Sequence, residues 1–441
     1  MRLTNIAQMV LPHGRVHSYA VITNGAVDGA LPVSFDQGRH VGEGDRAGSW
    51  MALAARLPAD VTRQSIGEAW MAVVARHDTL RTAFSLDGST LALNRITVTS
   101  GAWHEHDVPA GAPTREVVRA ILDANCRPFA APSHRICLIE PDESASDPRP
   151  ALVIASDHSH VDMWSLLVLL RDLTIELDPS SEPMDAASPF AEHTAALEQM
   201  PAAPASVAER WHELLAAGDD LMPVFPLSLG DISTARQEVV EVRDVLDSAG
   251  VQRFTARAEL NGVRLISLAV SLIATVTREM TGAPLRAVFP VHSRHDVRWH
   301  DSVGWFITNA ILECADPESA TAAVKEAITL GSYPLAPILE PYGGMPATPG
   351  MFAFSWLDTR RLPVQVSPEY EVQYVSAVVP TDGVMIWFIV NDTGLHLRCR
   401  YPDTPEARKN VGAWIDAVQS SIHDASLAPA TTLRDLVTDS L

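Results

Sequence analysis

The stretch DHSHVDMWS, Asp157 to Ser165, decides how this chain is read, because it sets imidazoles and carboxylates within six positions between an apolar strand and an apolar helix. Ahead of it, ALVIAS (Ala151 to Ser156) has the length of a strand. Behind it, WSLLVLLRDLTIEL (Trp164 to Leu177) carries the longer apolar pattern of a buried helix. The cluster therefore falls on a strand-to-helix turn, where a side chain can face a cleft while packed elements hold its backbone. Asp162 is expected at or near the helix N-terminus, where a carboxylate accepts from free N–H groups and meets the positive end of the helix dipole. A histidine near a strand end is most often a satisfied core or surface residue. Three ionisable groups beside apolar runs are harder to explain in that way, since each carries a desolvation cost unless it is paired or used. A metal site is the third reading: His158, His160 and Asp162 at i, i+2 and i+4 would share one face of a strand, with His292, His295 or His300 as a further ligand. The turn after Ser156 breaks that periodicity and counts against it.

The same residues resemble the HHxxxDG motif of the condensation-domain superfamily, which includes nonribosomal peptide condensation domains and polyketide-associated acyltransferases. Asp157 falls on the first His, His158 on the second, Asp162 on the Asp and Met163 on the Gly. Other segments are similar to the family in the same order. LPVSFDQGRH (Leu31 to His40) looks like its opening segment, ARHDTLRTAF (Ala75 to Phe84) its RHxxLRTxF signature, FPVHSRHD (Phe289 to Asp296) its PVSGR segment, and SVGWFITNAI (Ser302 to Ile311) its VGxFxN strand. FSWLDTR (Phe354 to Arg360) resembles the later strand with which the family's second lobe reaches over the first. The resemblance implies an α/β fold of two chloramphenicol-acetyltransferase-like lobes forming a V with a central tunnel. On this chain the lobes would be 1–177, carrying the motif, and 190–441, joined by a linker at 178–189.

By the same resemblance His158 is the catalytic residue, a general base for an acceptor hydroxyl or amine. An imidazole suits the task because it can take a proton as the nucleophile attacks a thioester carbonyl and return it to the leaving thiolate. No acyl-enzyme is needed, and no cofactor is implied beyond the acyl-CoA or phosphopantetheine thioester that serves as donor substrate. Asp162 would be architectural, joined to Arg294 in a two-pronged, charge-assisted pair that pins the turn across the two halves of the chain. Asp157 departs from the pattern and puts an acid beside His158, which would raise the proton affinity of the imidazole or hydrogen-bond a neighbour. Met163 departs as well; its thioether would narrow the channel or pack underneath His158. Met163, Trp164, Trp305 and Trp356 are the candidates for lining that channel, although aromatic residues in strands are more often core.

The rest of the chain is consistent with two cores. Its 441 residues exceed a typical single core and suggest two domains of roughly 200 residues each. QSIGEAWMAVVARH (Gln64 to His77) is a predicted helix with Ile66, Trp70, Val73 and Val74 on one face. DPSSEPMDAASP (Asp178 to Pro189) has the composition of a linker. Helices follow around 190–217, then a strand in EVVEVRDV (Glu238 to Val245) and a strongly apolar helix in RLISLAVSLIATVTREM (Arg264 to Met280). AVFPV, GWFITNAI, MFAFSW, GVMIWFIV and GLHLRCRY supply strands, and PDTPEARKNVGAWIDAVQSSI (Pro402 to Ile422) a capped helix.

Composition narrows the function classes. The four cysteines, Cys126, Cys137, Cys314 and Cys399, lack paired metal-site spacing and read as reduced thiols, so no metal site is expected from them. Neither a signal-peptide core nor an apolar run of membrane length is present, and a cytoplasmic protein without a membrane span is expected. A net charge of −21, from 33 basic against 54 acidic residues, argues against nucleic acid. The expected partners are a small-molecule acceptor and acyl-CoA or an acyl or peptidyl carrier protein. Carrier proteins are commonly acidic, so docking one requires a local basic patch, for which RHDVR (Arg294 to Arg298) and DTRRL (Asp358 to Leu362) are candidates. The leading expectation is a free-standing acyltransferase of lipid or natural-product biosynthesis. A catalytically silent condensation-like docking module, motivated by Asp157 and Met163, and a metal-dependent hydrolase remain as alternatives.

Overall fold

A computed structural model describes residues 2–88 and 90–428; the end of the span 190–441 lies outside the described residues. Its strands in chain order are β1 Arg2–Asn5, β2 Gly14–Leu31, β3 Trp50–Arg56, β4 Thr82–Asp87, β5 Thr90–His106, β6 His134–Pro141, β7 Ala151–Asp157, β8 Glu238–Asp247, β9 Leu285–His292, β10 Ile307–Cys314, β11 Phe352–Asp358, β12 Gln373–Ser376, β13 Val384–Asn391 and β14 Gly394–Pro402. Among the described residues they form an eight-stranded sheet, in the order β1-β12-β3-β7-β6-β2-β5-β4, and a six-stranded sheet, in the order β10-β9-β11-β13-β14-β8.

Two compact units result. The first comprises Met1–Met200, His292–Ile307 and Leu362–Val378, and the second Pro201–Val291, Thr308–Arg361 and Val379–Leu441. The first unit is built around β7. Every residue of that strand is buried, so both its faces must be covered, and it lies inside the sheet, antiparallel to β3 and β6. The unit also holds α1 Phe35–Gly42, α2 Arg63–Arg76, α3 Thr114–Asn125, α4 Met163–Leu177 and α5 Phe190–Glu198. In α2 the stripe Ile66, Trp70, Val73 and Val74 is buried, and Thr62 caps the helix start by accepting from the Ser65 N–H. This helix packs against α4, which is apolar nearly all round and covers β3 and β7.

A cut into 1–177 and 190–441 does not follow these units. Residues 178–200 stay with the first unit, and so do two segments from much later in the chain. The reason for one is sheet pairing: β12 runs parallel to β1 and antiparallel to β3. The other is held by a buried ion pair described below. Phe354 to Asp358 of FSWLDTR lie in β11, an interior strand of the second unit's sheet, so the strand that joins the first unit's sheet is β12 and not this one. SVGWFITNAI is strand only from Ile307, because the backbone N–H groups of Gly304 and Phe306 are taken by Ser165 and Asp162 instead of by a neighbouring strand.

The second unit's sheet is parallel at β9, β11 and β13 and antiparallel at β14 and β8. Its helices are α6 Ala205–Ala216, α7 Ser248–Leu260, α8 Leu265–Thr281, α9 Ala320–Leu330, α10 Leu335–Leu339 and α11 Pro405–Leu427. The apolar side of α8 packs on α7, α9 and α11. No single helix among the described residues is long and apolar enough to cross a membrane; α7 and α8 pass such a test only jointly, with a 93° bend between them. All four cysteines are buried and free.

Candidate active site

The end of β7 is fixed before any side chain is considered. The Asp157 N–H donates to the Ser133 carbonyl at 2.9 Å and the His158 N–H to the Ser49 carbonyl at 3.0 Å. His158 to His160 make one 3-10 turn, and α4 starts at Met163 with Asp162 as its N-cap, accepting from the Ser165 N–H at 2.7 Å. The two histidines of the turn point to different places. His160 is buried, its Nδ1 between the hydroxyls of Ser133 (3.0 Å) and Ser159 (2.9 Å) and its ring edge-on to Phe84. Burial lowers its pKa to about 4, so it is neutral. His158 is only partly buried, and its Nδ1 lies 2.9 Å from the Val161 carbonyl. A carbonyl only accepts, so Nδ1 carries the proton and Nε2 holds the lone pair, with no hydrogen-bond partner among the described residues. Burial lowers the pKa of His158. Of the two roles expected of the acid at 157, it hydrogen-bonds its neighbours, and its charge does favour the protonated His158, but desolvation outweighs that attraction.

Trp305 lies flat against His158, with ring centroids 3.9 Å apart and planes 17° from parallel. It is held by the buried cluster of Phe190, Trp299 and Phe306. Gly304 is required there by close approach, since a Cβ would stand 2.3 Å from the Phe190 ring.

Asp162 and Arg294 meet, both almost fully buried. Arg294 does not form the expected fork. One nitrogen, Nη2, reaches both carboxylate oxygens, at 3.2 and 3.4 Å, and the Ser165 hydroxyl at 2.7 Å, while Nη1 donates to the carbonyls of Trp299 (2.6 Å) and Ser302 (2.7 Å). The guanidinium also lies 3.8 Å over the Phe306 ring. Both partners belong to the first unit, so the pair anchors the 292–307 segment within that unit. Arg294 is thereby removed from the proposed basic patch at 294–298, where Arg298 is exposed but pairs with Asp296 and lies over Trp299.

Asp157 is fully buried and charged. Burial alone would raise its pKa, but hydrogen bonds from His40, Ser159 and Ser49 outweigh this and hold the carboxyl at about 2. Of these partners, His40 and Ser49 carried no sequence signal that linked them to the turn. Met163 begins α4 and accepts from the Tyr374 hydroxyl at 3.0 Å through its carbonyl. Trp164 is buried, donating to the His300 carbonyl at 3.0 Å. Trp356 belongs to the second unit, on β11, against Phe388. His158, His160 and Asp162 do not converge, and among the described residues no group of three or more His, Cys, Asp or Glu side chains is arranged to hold a metal ion.

No protein-family model matches the chain. It is 22% identical over 424 residues to the acyltransferase PapA3 of Mycobacterium tuberculosis, spanning 88% of each. Over 229 residues, 48% of each chain, it is 24% identical to the trehalose-2-sulfate acyltransferase PapA2 of Mycobacterium bovis. Among solved structures, a PapA2 acyl transferase superposes with a TM-score of 0.85 at 19% identity, covering 97% of this chain and 100% of that one. The first condensation domain of the calcium-dependent antibiotic synthetase gives 0.71 at 14% identity, covering 92% and 98%. The α/β fold is thus the condensation-domain fold. In sequence the chain is similar to acyltransferases of the PapA type, and in fold to a PapA2 acyl transferase and to condensation domains.

Proposed function

We propose that the chain transfers an acyl group from a thioester, either acyl-CoA or an acylated carrier protein, to a hydroxyl of a small-molecule lipid precursor, with His158 as general base. The observation that carries this reading is the commitment of His158 Nδ1 to the Val161 carbonyl, which leaves Nε2 as an unprotonated acceptor on a ring whose proton affinity is already lowered. In the reaction Nε2 takes the acceptor O–H proton as the oxygen bonds to the thioester carbonyl carbon. The C–S bond then breaks, and the imidazolium returns the proton to the leaving thiolate, giving ester and thiol. Asp162 and Arg294 act on the scaffold, fixing the start of α4 and the segment that carries Trp305. Trp305, flat against the His158 ring, and Met163 and Trp164, at the start of α4, are the side chains put forward to shape the acyl or acceptor channel. The four buried free thiols suit a reducing, cytoplasmic setting.

The relatives' names motivate a sugar hydroxyl as the first acceptor to try. Purified protein is incubated with acyl-CoAs of several chain lengths and a panel of hydroxyl and amine acceptors that includes trehalose 2-sulfate, and products are read by mass. The expected result is an acylated hydroxyl product with one free thiol released per transfer. Amide products alone would correct the acceptor class. Transfer from no thioester to any acceptor would favour the silent docking module.

A further inference from the structure

Position 157 carries an acid where the family pattern has an imidazole, and the surroundings are built for that acid. Oδ1 accepts from the Ser159 N–H at 2.9 Å and from the Ser159 hydroxyl, and Oδ2 from the Ser49 hydroxyl at 2.5 Å. The remaining partner comes from α1: Nε2 of His40 lies 3.3 Å from Oδ1 and 3.4 Å from Oδ2. The hydrogens of His40 can be assigned from its other nitrogen. Arg46 Nη2 donates to His40 Nδ1 at 3.1 Å, so Nδ1 is the acceptor and Nε2 carries the hydrogen towards Asp157. Arg46 is in turn fixed by the carbonyls of His40 (2.9 Å) and Gly44 (3.1 Å) and by Glu43.

The same His40 ring touches the second support of the base. The His40 and Trp305 ring centroids are 5.2 Å apart with the planes at 68°, and Trp305 lies flat on His158. The His40 and His158 rings are 6.0 Å apart. Asp157 caps the turn that sets the His158 backbone, and Trp305 sets the plane of the His158 ring, so one imidazole braces both.

Resting on the reading of His158 as the base, we propose that His40 is a positioning residue for His158, taking the place of the imidazole absent at 157, and that the chain Arg46–His40–Asp157 holds His158 in the Nδ1-protonated form with Nε2 presented to the acceptor. His40 does not touch the reacting atoms, because both its nitrogens are engaged. The charged and titratable groups around it are Arg46 and Glu43 from the segment after α1, and Asp157, His158 and His160 from the turn; Trp305, from the 292–307 segment, is neutral. The burial of His158 disfavours a second proton on it.

The test reads the ring itself and needs no substrate. Side-chain nitrogen NMR of the full chain labelled at histidine is recorded against pH for the parent, His40→Leu and His40→Gln. The parent is expected to show His158 in the Nδ1-protonated tautomer. His40→Leu should give a mixed tautomer population and a midpoint shifted towards that of a free imidazole, and His40→Gln, which keeps a donor to Asp157, should stay near the parent. Should His40→Leu not fold, Asp157→Asn, which keeps the shape and removes the charge that His40 donates to, is expected to give the same mixed tautomer population, with the His158 midpoint moving further down because the favourable carboxylate charge is lost. Tautomer and midpoint of His158 unchanged in a folded His40→Leu or Asp157→Asn protein would overturn the proposal. In acyl-transfer assays His40→Leu should lower kcat about tenfold with KM little changed, and His40→Gln should recover most of it. If the parent transfers no acyl group from any thioester, the base assignment fails while the NMR result still decides the positioning role.

Discussion

With Nδ1 of His158 committed to the Val161 carbonyl, the nitrogen left for chemistry is Nε2, and it serves as a base only while unprotonated. Burial lowers the proton affinity of this ring, so the active form persists to lower pH than for a free imidazole, whose midpoint is about 6.5. Transfer rates measured against pH should therefore stay level through neutrality and fall on the acid side with a midpoint below 6.5; a midpoint above it would mean that the Asp157 charge outweighs burial. At this scale the turn was legible in the sequence, because ionisable groups between two apolar runs stand out and because the family motif aligns there. His40 was not legible. It lies 117 residues before Asp157, and the approach of α1 to the turn brings the two together. Ser49, 108 residues away, is delivered by the pairing of β3 with β7, which no local spacing encodes. The one available signal was Asp157 itself, since a carboxylate next to a fully apolar strand requires donors from somewhere.

The elements around the turn are joined by Asp162, which caps α4 through Ser165, accepts from the Phe306 N–H at 3.1 Å and pairs with Arg294. Asp162→Ala leaves a buried guanidinium without its carboxylate, and a loss of about 3–5 kcal/mol is expected in denaturant unfolding, seen as a lower midpoint. Normal stability with abolished transfer would instead assign the carboxylate a direct part in the chemistry. Met163→Gly is expected to act differently. Met163 is the first residue of α4, and the hydrogen bond it accepts from Tyr374 is through the backbone carbonyl, which Gly keeps, so the cost should be on the order of 1 kcal/mol, from helix propensity. If the thioether shapes the channel, competition assays should show a wider acyl or acceptor range in this variant, and an unchanged range would place Met163 outside the channel. The element pattern was readable where apolarity was continuous, as in β7, α4, α8 and β13. It was not readable in the long hairpin strands β2 and β5, of 18 and 17 residues, because β5 is largely half-buried or exposed and shows no sustained apolar alternation. Nor was β12, four residues long, recognisable as the partner of β1, from which 371 sequence positions separate its start.

At the scale of the whole molecule the buried histidines set the response to acid. His134, His160 and His193 are held neutral by burial, with pKa values lowered to about 3, about 4 and about 4. Between those values and the ordinary 6.5 the unfolded chain binds more protons than the folded one, so stability present above 6.5 is lost as pH falls towards 4. The melting temperature should accordingly drop by several degrees between pH 7 and pH 5, before the depressed carboxyl of Asp157 titrates; an unchanged value would mean that these rings are already solvated. The division into units was the least legible feature, because it depends on which sheet a short late strand joins and on one buried ion pair, and neither leaves a mark on composition. The function claimed for the molecule depends on which of two neighbouring histidines faces substrate, so the most direct measurement is the acyl-transfer rate of the parent beside His158→Ala and His160→Ala, each checked for native circular dichroism. A fall of roughly a hundredfold or more in His158→Ala with a much smaller loss in His160→Ala is the expected result. Equal losses in the two variants, or abolition by the His160 change alone, would contradict the assignment of His158 as the base.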